Sequence, residues 1–118
     1  MKLEGEGTLL RVFVGEADRW QGMPLYEAIV RRARQLGLAG ATVLRGVEGF
    51  GAHSRLHTAR LLRLSEDLPI LVEIVDRREK IEAFLPELDE MVGDGLVTLE
   101  RVQVLWYRSR PPESGGGA

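Results

Sequence analysis

The sequence predicts an α+β fold: a ferredoxin-like, split βαβ antiparallel sheet in the order βαββαβ, with two helices on one face. Three observations predict it. Two stretches carry apolar residues at helical spacing, each stands between two short strand-like runs, and the 118 residues suffice for one such domain and not two. Boundaries follow from composition: residues 1–7 read as a flexible N-terminus, 8–110 as the domain, and 111–118 as a disordered Pro/Gly/Ser tail.

The elements are justified in turn. Residues 9–14 are mostly apolar and bounded by Gly7 and Gly15, as a short strand is. Pro24 suits the first position of a helix because it needs no N–H there. Leu25, Ile29, Ala33 and Leu36 then recur on one helical face, and Gly37 ends the helix. Residues 41–47 read as a second strand, with β-branched Thr42 and Val43. Residues 69–75 form a third. Asp76, with Glu79 three residues on, is a capping pattern that opens a second helix. Its buried face is Ile81, Phe84, Leu85, Leu88, Met91 and Val92, and Pro86 inside it should bend it or break one backbone bond. Gly93-Asp94-Gly95 is a turn, and residues 96–107 a final strand with Val97, Leu99, Val102, Val104 and Trp106 as packing positions. Trp20 and Tyr26 also read as packing residues. A sheet with helices on one face leaves the other open, so apolar residues on both faces of its strands call for a partner subunit.

Composition narrows the function classes. With no cysteine, disulfides, thiolate metal sites and cysteine nucleophiles are excluded together, which suits a reducing cytoplasm. Residues 1–8 lack the apolar core of a signal peptide, and no apolar run reaches the roughly 18 residues of a membrane span, so the chain is not expected to be membrane-embedded. The net charge of −2 conceals an asymmetry. Residues 1–64 hold ten Lys/Arg against six Asp/Glu, residues 65–100 three against eleven, and residues 101–118 three against one. An acidic chain with a local basic stretch is a poor non-specific nucleic-acid binder, but retains room for a local anion site.

Residues 49–67 break the pattern. Gly49, Gly51, His53, Ser54, Arg55 and His57 follow no clear period, and loops of this length inside compact domains usually serve function. Leu61, Leu62 and Leu64 suit a short strand or a contact with a partner. Arg45, Arg55, Arg60 and Arg63 lie in or beside the loop and are opposed locally by Glu48. Arginine forks suit phosphates and carboxylates, although a solvated or interface-paired basic face explains them equally. His53 and His57 are spaced i, i+4, but a full set of metal ligands cannot be assembled around them, and no metal is expected. The carboxylates Glu90 and Asp94 need no catalytic explanation, because the second helix has an exposed acidic face. No nucleophile, base and orienting group can be assembled, so the chain is not read as an enzyme.

Gly40-Ala41-Thr42-Val43, Glu48-Gly49-Phe50-Gly51 and Gly93-Asp94-Gly95 resemble the PII nitrogen regulatory signalling proteins, in which a GFG opens a mobile loop and a GDG closes another. More closely, residues 24–97 resemble the bacterial PII-like family called domain of unknown function 190. The resemblance rests on Pro24-Leu25-Tyr26-Glu27-Ala28, Gly37-Leu38-Ala39-Gly40-Ala41-Thr42-Val43, Gly49-Phe50-Gly51-Ala52-His53-Ser54-Arg55 and Leu64-Ser65-Glu66-Asp67-Leu68-Pro69. It implies a homotrimer whose intersubunit clefts hold an adenine nucleotide or another small anion. Carried over by position, the ligand site comprises Gly49, Phe50, Gly51, Ala52, His53, Ser54, Arg55, Gly93, Asp94, Gly95 and Arg108. Arg55, His57, Arg60 and Arg63 would then belong to a partner-binding loop, and the partner class implied is a membrane transporter or channel, or another target protein. Two departures bound the ligand. Ala52-His53 stands where PII has Arg-Gln, whose Gln helps bind 2-oxoglutarate, so 2-oxoglutarate sensing is not implied, and Leu96 stands where PII has a phosphate-contacting Lys; uridylylation is not implied either, because the modified PII tyrosine has no counterpart here. The expected function is regulatory binding, with loop 50–67 controlling a partner. The alternatives are a structural trimer without a small-molecule ligand and an enzyme acting on a phosphorylated one.

Overall fold

β1 (Gly5–Gly15) is the organising strand of the computed structural model, which describes residues 5–50, 57–58 and 67–109. A small hairpin, β2 (Arg19–Trp20) and β3 (Met23–Pro24), follows it. Next come α1 (Leu25–Gln35), β4 (Thr42–Arg45), and the short β5 (Glu48–Gly49) and β6 (His57–Thr58), which pair with each other. β7 (Pro69–Asp76), α2 (Arg78–Met91) and β8 (Leu96–Val104) complete the elements of the described residues. The main sheet is four-stranded and antiparallel throughout, in the order β4-β7-β1-β8. This is the predicted α+β arrangement.

Strand alternation builds the core. Leu10, Val12 and Val14 of β1 and Ile70, Val72 and Ile74 of β7 point to one face and are buried there. Leu25, Ile29 and Ala33 of α1, and Ile81, Phe84, Leu88 and Met91 of α2, close over them. Trp20, Tyr26, Leu85 and Val92 pack at the margin of this cluster, as expected. α1 and α2 are also bridged by an Arg32–Glu87 ion pair. The hydrogen bond from the guanidinium holds the Glu87 carboxyl below its usual range, and the same bond raises Arg32.

Several details depart from the expectations. β1 begins at Gly5, inside the segment read as flexible, because Gly5, Glu6 and Gly7 pair with Val104, Gln103 and Val102. Pro24 is the N-cap of α1 rather than its first residue. Gly37 does close α1: with φ +78° it lets its own N–H reach the Arg34 carbonyl and that of Leu38 the Ala33 carbonyl. That turn swings Leu36 out to the surface and sets Leu38 against the core in its place. The Asp76 carboxylate does not cap α2. It accepts hydrogen bonds from the backbone N–H groups of Arg77 and Ala39, and α2 starts with no side-chain cap. α2 runs on through Pro86. β8 stops at Val104, short of residue 107, and Val97, Leu99 and Trp106 stay exposed instead of packing. β8 is an edge strand, and the helices contact β1 and β7 beside it. The β2–β3 hairpin was not anticipated. Gln21 (φ 48°) and Gly22 (φ 82°) are consecutive left-handed residues, the backbone of a tight hairpin turn.

Candidate functional site at the loop-bearing end of the sheet

The loop that carries the Gly49-Phe50 motif leaves from a braced base. After β4, the Gly46 N–H donates to the Pro69 carbonyl at 2.7 Å. Gly46 and Gly49 both lie against the Pro69 ring, where an added Cβ would stand 2.8 and 3.0 Å from Cγ. The β5–β6 pairing, Glu48 with Thr58 and Gly49 with His57, brings outgoing and returning chain together. On the return side, Asp67 Oδ1 accepts the Ala17 N–H at 2.9 Å, and the Leu68 carbonyl accepts the Glu16 N–H at 2.8 Å. Asp18 Oδ2 accepts the Gly15 N–H at 2.9 Å. Arg45 pairs with Glu16 at 2.9 Å, so this member of the basic group serves the base of the loop. Val47 and Phe50, 73% and 75% exposed, face outward from it.

The second motif, Gly93-Asp94-Gly95, turns the chain from α2 into β8. Its two glycines differ in purpose. At Gly95 a Cβ would meet the Phe13 carbonyl oxygen at 2.7 Å and Val92 Cγ1 at 2.9 Å, so the backbone of β1 demands glycine. At Gly93 nothing lies within 4 Å.

The sheet order fixes the relation between the motifs. β4 and β8 are opposite edges and run antiparallel to each other, so the segment after β4 that carries Gly49-Phe50 and the Gly93-Asp94-Gly95 turn that enters β8 lie at the same end of the sheet. Arg108 lies beyond the far end of β8, which at roughly 3.3 Å per residue places it more than about 25 Å from Gly95 along the strand. There its guanidinium stacks 5.1 Å from the centre of the Trp106 ring. One chain therefore does not gather the three groups. Gly51, Ala52, His53, Ser54, Arg55, Arg60, Arg63 and the leucines 61, 62 and 64 lie outside the described residues, as does the side chain of His57. The Trp106–Arg108 pair is a feature that residue-type reasoning missed. Its sequence signal is the i, i+2 spacing, which puts two side chains of an extended segment on one side.

Among the described residues, no helix is long and apolar enough to cross a membrane, and no group of three or more His, Asp or Glu is placed to hold a metal.

Comparison with known proteins gives a consistent result. Residues 7–104 match the family model DUF190, described as an uncharacterized ACR. A UPF0166 protein of Aquifex aeolicus is 41% identical over 98 residues, covering 83% of this chain and 92% of its own. Another, from Methanocaldococcus jannaschii, is 33% identical over 95 residues, covering 80% and 87%. Among solved structures, CPII, a nitrogen regulatory PII-like protein from Thiomonas intermedia K12 bound to ADP, AMP and bicarbonate, superposes with a TM-score of 0.58 at 19% identity, covering 84% of this chain and 88% of that one. The B. subtilis GlnK–ATP complex gives 0.55 at 12% identity, covering 85% and 84%. At these identities the structural likeness establishes the fold, which is PII-like and ferredoxin-like. The sequence match establishes the family, and the chain belongs to DUF190.

Proposed function

We propose that this protein is a non-enzymatic, cytoplasmic regulatory module. As a homotrimer it binds an adenine nucleotide, or a closely related small anion, in clefts between its subunits, and it uses loop 50–67 to engage a partner protein. The observation that carries this reading is the placement of Gly49-Phe50 and Gly93-Asp94-Gly95 at one end of the sheet but on opposite edges. A neighbouring copy that sets its β4 end against this chain's β8 end would join the two motifs into one site. Glycine-rich backbone then offers N–H groups to phosphate, and arginine forks neutralise it. The fold supports the ligand class, since CPII carries ADP and AMP and GlnK carries ATP in their solved complexes. Ordering of a flexible loop by a bound nucleotide is a physical route from binding to partner choice, and a membrane transporter or channel is the partner class proposed.

Isothermal titration of the full chain with ATP, ADP and AMP tests the proposal. Binding tighter than about 1 mM with one site per subunit is expected, and no heat at that concentration with any of the three would sink nucleotide sensing. In that event, strong protection of the loop amides without ligand would favour a purely structural trimer.

A further inference from the structure

The turn 37–40 between α1 and β4 is held far more firmly than a connection requires. Lys80 of α2 donates to the Gly37 carbonyl at 2.8 Å. Leu38 packs against the core. The Ala39 N–H donates to Asp76 Oδ2 at 2.8 Å, while Asp76, fully buried at the end of β7, uses Oδ1 for the Arg77 N–H at 2.7 Å. With its N–H fixed this way, Ala39 directs its carbonyl at the segment after β8, where the Tyr107 hydroxyl donates to it at 2.7 Å. Gly40 lies beside the same hydroxyl, 3.9 Å from the position a Cβ would take. The chain thus leaves β8 at one edge of the sheet and, three residues on, is tied to the turn that feeds the opposite edge strand.

The tied segment is otherwise weakly anchored. Leu105 and Trp106 are largely exposed, and among the described residues the Tyr107–Ala39 bond is the side-chain hydrogen bond that joins 105–109 to the rest of the molecule. Trp106 and Arg108 flank Tyr107 and stack on one another. We propose that Tyr107 is a positioning residue: by latching onto Ala39, itself held by the buried Asp76, it fixes where the Trp106–Arg108 pair stands and so presents an aromatic face and a guanidinium to a ligand with a planar base and an anionic group. The ligand half of this inference rests on the nucleotide reading above; the latch itself does not.

Backbone ¹⁵N relaxation of the full chain, wild type against Tyr107→Phe, tests the latch without any ligand. The variant keeps the ring and loses the hydroxyl. The order parameters of 105–109 are expected to fall from about 0.8 to below about 0.6, with β1 and β7 unchanged and the melting temperature within about 2 °C. Order parameters that do not change would overturn the latch. Asp76→Asn, which turns one acceptor into a donor facing a backbone N–H, should loosen the same segment; if it fails to fold, Tyr107→Phe still decides. Titration with ADP is the second arm. A dissociation constant raised about two- to tenfold in Tyr107→Phe is expected from the loss of one hydrogen bond. A loosened segment with unchanged ADP affinity would overturn the positioning role, and a wild type that binds no ADP would overturn the nucleotide reading while the relaxation data still judge the latch.

Discussion

At the scale of single residues, the two glycines of the second motif separate two physical demands that look identical in sequence. Neither adopts a left-handed backbone, so the need for glycine at 95 comes from the Phe13 carbonyl and Val92 pressing on it. Gly95→Ala is expected to destabilise the fold by about 1–3 kcal/mol, because backbone cannot yield as a side chain tip can, whereas Gly93→Ala should change it by less than about 0.5 kcal/mol. Urea unfolding of the pair checks this, and equal midpoints would show that close approach is not the constraint. The turn itself was legible as Gly-Asp-Gly. The reason for Gly95 was not, since it depends on a strand distant in sequence. Asp76 teaches the same lesson. Its spacing to Glu79 reads as a helix cap, yet burial at the end of β7 turns its oxygens toward Ala39 and Arg77. Asp76→Ala should cost about 1–2 kcal/mol by leaving the part-buried Ala39 and Arg77 N–H groups without their acceptor and opening space at a fully buried position, while Glu79→Ala should cost less than that. The reverse order would restore the capping role.

At the scale of elements, the helices and the core strands were legible because amphipathic periods survive in the sequence. Leu25, Ile29 and Ala33 recur at 3.6, and Ile70, Val72 and Ile74 at 2, and all six are buried. The β2–β3 hairpin was not, because each strand is two residues long and Gln21 is an unusual left-handed residue. The end of β8 was also misread, since apolar residues continue past Val104 as an exposed segment. Contacts between elements are invisible to periodicity, and the Arg32–Glu87 bridge between the helices is one of them. Arg32 donates to Glu87 and lowers its carboxyl, so the ion pair stabilises the folded state above the ordinary carboxylate range and that contribution is lost as pH falls through the depressed value. Glu87→Gln is expected to melt about 1–3 °C lower than wild type near pH 7, with the gap closing as pH falls below the ordinary carboxylate range through the depressed Glu87 value. A gap that stays constant well below the ordinary carboxylate range would mean the carboxylate charge plays no part.

At the scale of the whole molecule, the question is what covers the face of the sheet away from the helices. Register sets Leu44, Leu71, Phe13 and Leu96 side by side across all four strands on that face, and Leu44 and Leu96 remain 49% and 56% exposed. Beside this row Arg11 pairs with Glu73 at 2.9 Å and Glu100 at 3.1 Å, satisfying the charges that share the face. An apolar row with its neighbouring charges already paired is what a second copy needs to bury the surface without stranding ions. If that surface builds the homotrimer proposed above, light scattering returns three chain masses for the wild type. Leu71→Glu puts an unpaired carboxylate into the middle of the row in every subunit. Since Leu71 points away from the helix-covered core, the subunit should still fold, with an unchanged far-ultraviolet spectrum, but elute as one chain mass. Leu36→Glu, equally charged and at the exposed end of α1 on the helix side, should leave the assembly intact. A monomeric wild type, or a trimeric Leu71→Glu, would remove the sheet face as the assembly surface. With it would go the arrangement that lets the Gly49 end of one subunit meet the Gly95 end of another, so loss of ADP binding in Leu71→Glu, retained in Leu36→Glu, ties the site to the interface.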